Sequence, residues 1–185
     1  QIYIDVTSLM AIMSNIYLMI LIIRTNNGHI GSYRWLLFSF SLVDVLIAII
    51  HFMIVPGLHM TPYGYIFLSL RRLLPHPPDD IYLHMAWVAL FYQTFILLAY
   101  HYFYRYVVLC RSNWLTRTRR HPHKFWLPLA ILVDLLFTYS VVFFIFVGFM
   151  PGPEKSRRYA GVVRREYGIE LEGDNSPGYL ASEFW

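Results

Sequence analysis

The sequence is short of charge. Asp, Glu, Lys and Arg make up 14% of its 185 residues, whereas soluble domains carry about 25%. The hydrophobic fraction is 57% and the mean hydropathy is +0.47. These values exclude an ordinary soluble globule and predict an integral membrane protein. The net charge of +4 does not point to nucleic acid, because the cations lie beside apolar runs.

The sequence also lacks the residues on which many enzymes and metal sites depend. Cys110 is the one cysteine, which excludes an intrachain disulfide. P-loop, HExxH, GxSxG and paired-cysteine patterns are absent, so we expect neither an enzyme nor a cofactor. His121 and His123 have no third partner and do not predict a metal site. Cys110 lies next to an apolar run and is open to palmitoylation, although an inert thiol is the simpler interpretation.

Long apolar runs occur in four places. At a rise of about 1.5 Å per residue, about 20 residues cross a hydrocarbon core of about 30 Å. The sequence therefore predicts an all-α membrane domain at residues 1–153, with spanning helices at 3–23, 35–55, 81–104 and 125–149. Residues 154–185 are expected to be a polar tail outside the membrane. An apolar patch at 63–70 is too short to span and is expected to lie at the interface.

The third predicted helix carries an ordered polar stripe. Gln93, His101 and Arg105 are spaced at multiples of four, with Leu97 in the gap. On a helix this spacing gives one slowly drifting stripe. Lipid cannot satisfy polar groups, so the stripe must face other helices or water.

Three polar residues fall near one depth in the predicted membrane domain. Asn15, Asp44 and Asp134 each lie roughly 12–13 Å from one end of their helices. An ionised Asp there costs about 2.5–3.5 kcal/mol on insertion scales. One interpretation is a polar cluster that biases the protein between conformations. The other is an ordinary interhelical hydrogen bond, which we favour for Asp134 and leave even with the first for Asp44.

The positive residues predict the orientation. The first and third loops hold eight cations, and the opposite side holds seven, but the dense third loop favours an outside N-terminus. The eight are Arg24, Arg34, Arg105, Arg111, Arg117, Arg119, Arg120 and Lys124. The seven are Arg71, Arg72, Lys155, Arg157, Arg158, Arg164 and Arg165.

Three separated runs of the sequence resemble a known family. They are GSYRWLL, HFMIVPGLHMTPYGYIF and FYQTFILLAYHYFYRYVVLCR, which look like nematode serpentine chemoreceptors of the Str type, related to the Srd and Srj receptors. The resemblance covers about residues 9–153. It implies a seven-helix receptor at the plasma membrane of a sensory neuron. Such a receptor binds a small chemical cue and signals through a heterotrimeric G protein.

The resemblance also implies roles for particular residues. Tyr104, Arg105 and Tyr106 resemble the family's YRY motif, which implies that Arg105, with His101 above it, helps to switch coupling. The alternative for Arg105 is a snorkelling interfacial side chain. Asn15 and Asp44 resemble the Asn and Asp pair on the first two helices of rhodopsin-like receptors.

The resemblance also implies a ligand pocket in the outer half of the third helix. Its candidate residues are Trp87, Phe91, Tyr92 and Gln93, with Gln93 as the best polar group. Packing aromatics are the plainer interpretation of each ring. Three histidines also fall on or near the outer side: His59, His76 and His84.

The four visible helices depart from the family's seven, and the tail matches the start of the loop after the fourth. We therefore expect a partial receptor. The alternatives are a four-helix transporter or channel subunit, which should show an internal repeat or broken helices, and a non-functional fragment.

Overall fold

The computed structural model describes residues 2–25, 33–71, 80–110, 122–171 and 178–183, with the backbone alone for 122–127. Four helices in it are long and apolar enough to cross a membrane. They are α1 (Ile2–Arg24), α2 (Tyr33–Ile54), α3 (Asp80–Cys110) and α4 (Pro122–Phe149). The predicted helical membrane bundle is confirmed. The largest difference in bounds is at α3, which continues six residues beyond the predicted end.

Each helix of the bundle packs on the next one along the chain. Small side chains make the contact of α1 with α2 close, since Ser8, Ser41 and Ala48 are all buried. The Ser41 hydroxyl donates to the Leu37 carbonyl, 3.2 Å away, so it adds no unsatisfied group to the contact. The order of the helices in space therefore follows their order in sequence.

A small antiparallel sheet covers one end of the bundle. Its strands are β1 (Pro56–Thr61), β2 (Gly64–Ser69) and β3 (Tyr179–Glu183), in the order β1-β2-β3. β1 and β2 form a hairpin in which Thr61 pairs with Gly64, and β2 pairs with β3 so that Ile66 lies opposite Ala181. The sequence did not predict this sheet, and it adds a small β element to the otherwise helical fold.

A fifth helix, α5 (Pro153–Tyr167), lies on the sheet. Proline occupies its first turn, where a missing N–H costs nothing, and Gly168 ends it in the left-handed conformation. Tyr159 and Val163, one turn apart, are buried with Ile66 and Leu68 of β2. The sheet and α5 are together called the cap. The predicted polar tail therefore has two ordered elements.

The apolar patch at 63–70 has a different environment from the one expected at the membrane interface. It forms β2, whose side chains alternate between two covered faces. Ile66 and Leu68 face α5, while Phe67 packs with Ile81, Ile145 and the other members of a second buried cluster. Because protein covers both faces of β2, the strand can be apolar at successive positions and does not need to alternate with polar residues.

The cap is tied to the ends of α1 and α2. The Ile54 carbonyl accepts hydrogen bonds from the Leu70 and Arg71 N–H groups, at 3.1 and 3.2 Å, and from the Ser69 hydroxyl at 3.0 Å. Arg71 pairs with Asp5 at 2.6 Å and donates to the Phe52 carbonyl at 2.9 Å. These contacts fix the hairpin over the bundle at the end where α1 begins.

Candidate ligand-binding cavity and coupling surface

A cavity of about 540 Å³ lies between α3, α4 and the sheet. Apolar and aromatic side chains line it. From the cap come Tyr65, Phe67 and Leu180; from α3 come Trp87, Val88, Phe91 and Tyr92; from α4 come Val141, Phe144, Ile145 and Phe149. Three of the four predicted ligand-binding residues, Trp87, Phe91 and Tyr92, are among them.

Simple periodicities bring these residues to one place. Trp87 and Phe91 are four apart on α3, as are Val88 and Tyr92, so the two pairs share one face. The same spacing aligns Val141, Ile145 and Phe149 on α4. Tyr65 and Phe67 alternate on β2 and so point to the same side of the sheet.

The cavity offers little polarity to a ligand. None of its lining residues is charged, and its polar groups are the hydroxyls of Tyr65 and Tyr92 and the indole of Trp87. The Trp87 Nε1 atom is buried and has no hydrogen-bond partner within the described residues. Ligand pockets typically measure about 300–1,000 Å³ and are mostly apolar. The cavity therefore suits a neutral small molecule.

Gln93 lies outside this cavity and joins α3 to α4. Its Nε2 donates to Asp134 Oδ1, and its Oε1 accepts from the Thr138 hydroxyl at 3.1 Å. Tyr100 adds a second link, donating to the Ala130 carbonyl at 2.8 Å. Asp134 thus makes the kind of interhelical hydrogen bond that the sequence favours. Gln93 as a ligand-contacting group stays a prediction, without support from the lining of the cavity.

A second pocket, of about 390 Å³, brings Asn15 and Asp44 together between α1 and α2. Thr7, Ser8 and His51 add further polar groups to its lining. Asn15 Nδ2 donates to the Ala11 carbonyl at 3.0 Å, within its own helix. Asp134 does not line this pocket, so the three deep polar residues do not share one site.

The end of α3 opposite the cap packs against the start of α2. The Tyr33 hydroxyl lies 2.8 and 2.7 Å from the two ring nitrogens of His101, and its ring stacks on Tyr104 at 5.4 Å. Arg105 and Tyr106 are exposed. Tyr33 belongs to the GSYRWLL run, but no pattern in the sequence singles it out. Two of the runs used for the resemblance therefore meet here.

The remaining candidates are scattered. His59 lies on β1, 3.2 Å from the Tyr167 hydroxyl. His84 is fully buried, with Nδ1 3.0 Å from the Asp80 carbonyl oxygen. Cys110 is the exposed last residue of α3. His76, His121 and the side chain of His123 lie outside the described residues. Among the residues that are described, no three His, Cys, Asp or Glu side chains form a metal-binding group.

Polar groups of α5 hold β3 in place. Tyr159 donates to the Ser182 carbonyl at 2.7 Å, and the Ser156 and Tyr179 hydroxyls are 2.5 Å apart. Lys155 donates to Ala181 and to two carbonyls at the end of α4. Burial lowers the pKa of Lys155, against a smaller opposing effect of Glu183. Burial is also the main cause that raises the pKa of Tyr159. Tyr159 is buried and Lys155 is half-buried between α5 and the sheet.

Comparison with known proteins gives the family. The chain is 27% identical over 125 residues to serpentine receptor class r-10 of Caenorhabditis elegans, which covers 68% of this chain and 37% of that protein. It is 28% identical over 156 residues to serpentine receptor class J-38 of the same organism, covering 83% and 46%. No solved structure matches. The chain spans less than half the length of these relatives. The model of the serpentine seven-transmembrane GPCR chemoreceptor family Str matches residues 1–180, more than half of the chain, and the chain belongs to that family.

Proposed function

We propose that this chain forms the ligand-binding part of a chemosensory receptor that takes a neutral, mostly apolar small molecule into the cavity beneath the sheet. The lining of the cavity is the observation that carries the proposal. A charged ligand would lose its hydration there without gaining a counter-charge. An apolar ligand would be stabilised by about 25 cal/mol for each Å² removed from water. The Trp87 N–H is a donor that a ligand acceptor would satisfy.

Family membership supports the wider part of the proposal. A receptor of this kind would lie in the plasma membrane of a sensory neuron, with its N-terminus and cap outside. It would signal to a heterotrimeric G protein at the opposite end of the bundle. At that end, Tyr33 contacts His101 and Tyr104. Arg105 is exposed there, and its positive charge suits contact with a cytoplasmic partner.

Quenching of tryptophan fluorescence tests the ligand site. Bromobenzene, a neutral aromatic quencher, should lower the tryptophan fluorescence of the chain in nanodiscs through two processes. Binding in the cavity gives quenching that saturates with concentration, and bromobenzene dissolved in the lipid gives quenching that rises linearly. Trp87→Phe should remove the saturable part, because its indole lines the cavity. Trp35→Phe, which removes a 59% exposed indole outside the cavity lining, should leave it unchanged.

Charge provides the second arm of that experiment. The bromobenzoate anion should give no saturable quenching, because the cavity lining holds no cation. Saturable quenching that survives Trp87→Phe, or equal binding of the anion, would refute the proposed site.

Arg105→Ala tests coupling in a receptor completed with the remaining helices of a family member. We expect ligand-evoked signalling to fall by at least about tenfold at matched surface expression. The reason is loss of a cationic contact that differs between inactive and active states. Arg24→Ala is the matched control, because Arg24 ends α1 on the same side of the bundle. Equal signalling by the two variants would leave Arg105 with a snorkelling role only.

A further inference from the structure

One side chain of α5 reaches both walls of the cavity. Lys155 Nζ donates to the carbonyls of Gly148, at 2.8 Å, and Met150, at 3.3 Å, just where α4 ends. It also donates to the Ala181 carbonyl of β3, 3.0 Å away. A single ammonium group therefore joins the end of a membrane-spanning helix to the last strand of the cap.

The residues beside these three carbonyls line the cavity. Ile145 and Phe149 lie within a turn of Gly148 on α4, and Leu180 directly precedes Ala181 on β3. Leu180 is almost completely buried and packs in one cluster with Ile145 and Phe149. The position of Lys155 thus sets how closely the strand approaches the helix over the cavity.

Other polar contacts of α5 do not duplicate this link. Tyr159 and Ser156 bond to β3, and Arg158 lies 3.4 Å from Glu183 on the same strand. These contacts fix α5 to the sheet. Within the described residues, the hydrogen bonds that run from α5 to the end of α4 through a side chain are those of Lys155.

A simpler role for Lys155 would be to cap the last carbonyls of α4, as basic side chains often do. Capping alone does not account for the third acceptor, the Ala181 carbonyl of β3, which lies 26 residues after Lys155 in the chain. Hydrogen bonds from a charged donor are stronger than those between neutral groups. Losing this donor would therefore weaken the approach of β3 to α4 more than loss of a neutral contact would.

We propose that Lys155 is a positioning residue that holds the sheet over the cavity and limits access to it from water at the capped end. The proposal rests on the proposed function for what the cavity binds. Access itself can be measured without any ligand.

Thiol labelling measures that access. In a Cys110→Ser background, Val88→Cys places one thiol in the cavity lining of α3. A membrane-impermeant trimethylammonium methanethiosulfonate should label it slowly in nanodiscs, because the sheet covers the cavity. Lys155→Met keeps the length of the side chain and removes the donor. We expect it to raise the labelling rate about tenfold, the factor for an equilibrium shifted by about 1.4 kcal/mol.

Three controls make the result decisive. Arg157→Met, two residues away on the exposed side of α5, should leave the rate within twofold of the parent. A thiol at Tyr63→Cys, in the exposed hairpin turn, should react equally fast with and without Lys155, which checks that the reagent reaches the cap equally well in both proteins. Gly64→Ala, which disrupts the sheet itself, gives the rate for an uncovered cavity.

Each other outcome overturns the proposal. If Gly64→Ala speeds labelling at position 88 and Lys155→Met does not, the sheet is a lid but Lys155 does not hold it. If neither variant speeds labelling, the sheet is not the barrier. Neither result depends on whether bromobenzene binds, so this proposal and the proposed ligand site can fail separately.

Discussion

Replacing Gly64 by alanine should separate β2 from β3 and cost more than about 3 kcal/mol of cap stability. Gly64 has a φ of 152°, a region that side chains rarely adopt. A Cβ there would overlap the Ser182 carbonyl oxygen and lie 2.6 Å from the Tyr159 hydroxyl. Backbone strain of this kind costs about 1–3 kcal/mol by itself. The overlap would in addition break the pairing of Gly64 with Glu183.

Hydrogen–deuterium exchange of the peptides that contain β2 and β3 measures this loss. Both peptides should exchange at least about a hundredfold faster in Gly64→Ala, while those from α1 and α2 stay protected. Gly161→Ala is the matched control, since a Cβ at that exposed helical position meets nothing within 4 Å. It should stabilise α5 by up to about 1 kcal/mol, through helix propensity alone. Unchanged exchange of β3 in Gly64→Ala would mean that the cap is not held by this pairing.

Asp134→Leu should loosen the contact between α3 and α4 by about 1–3 kcal/mol. The change removes the acceptor of the Gln93 Nε2 group and leaves a partly buried amide donor unsatisfied. Hydrogen bonds in membrane proteins average only about 0.6 kcal/mol. We expect a larger free-energy cost here, because Gln93 bonds to both Asp134 and Thr138. In the variant, Gln93 cannot turn to a new acceptor without also losing its bond to Thr138.

Unfolding by sodium dodecyl sulfate in bicelles gives the free energies. Asp134→Asn keeps an oxygen acceptor in place and should stay within about 0.5 kcal/mol of the parent. Gln93→Leu combined with Asp134→Leu should recover most of the loss, because the amide and the carboxylate are removed together. The Thr138 hydroxyl, which donates to Gln93 Oε1 in the parent, can turn to a carbonyl of its own helix. Equal destabilisation by Asn and Leu at position 134 would show that the charge of Asp134, and not its hydrogen bond, matters to the contact.

Much of the bundle could be predicted because the rule for membrane helices is local. About 20 consecutive apolar residues suffice to place a spanning helix. Two residues of the polar stripe of α3, Gln93 and His101, contact other helices, whereas Arg105 is exposed. Which helix each polar residue meets is not a local property. Gln93 turns to α4 and His101 to α2, although both belong to the same stripe. Tyr33 was missed for this reason, because its partner is 68 residues away.

In the cap, α5 could have been predicted from its sequence pattern, whereas β3 could not. α5 begins at Gly152-Pro153, ends at Gly168 and buries Tyr159 and Val163 at helical spacing, so its pattern was readable. β3 is five residues long with Ser and Glu at its end. Such a short strand gives no clear signal in the sequence. Its formation depends on β2 and α5, whose residues bury Tyr179 and Ala181. The cavity likewise follows from this long-range pairing, which supplies Leu180 to its lining.

The pairing of β2 with β3 also has a consequence for biosynthesis. β3 begins 115 residues after β2, at position 179 against position 64. At about 5–20 residues per second, the ribosome needs roughly 6–23 s to make that stretch. β1 can cover one edge of β2 at once, but the other edge stays open throughout this interval. Open, apolar strand edges recruit other chains. During translation, therefore, the open edge of β2 needs protection until β3 is made, and α3 and α4 are synthesised within that interval.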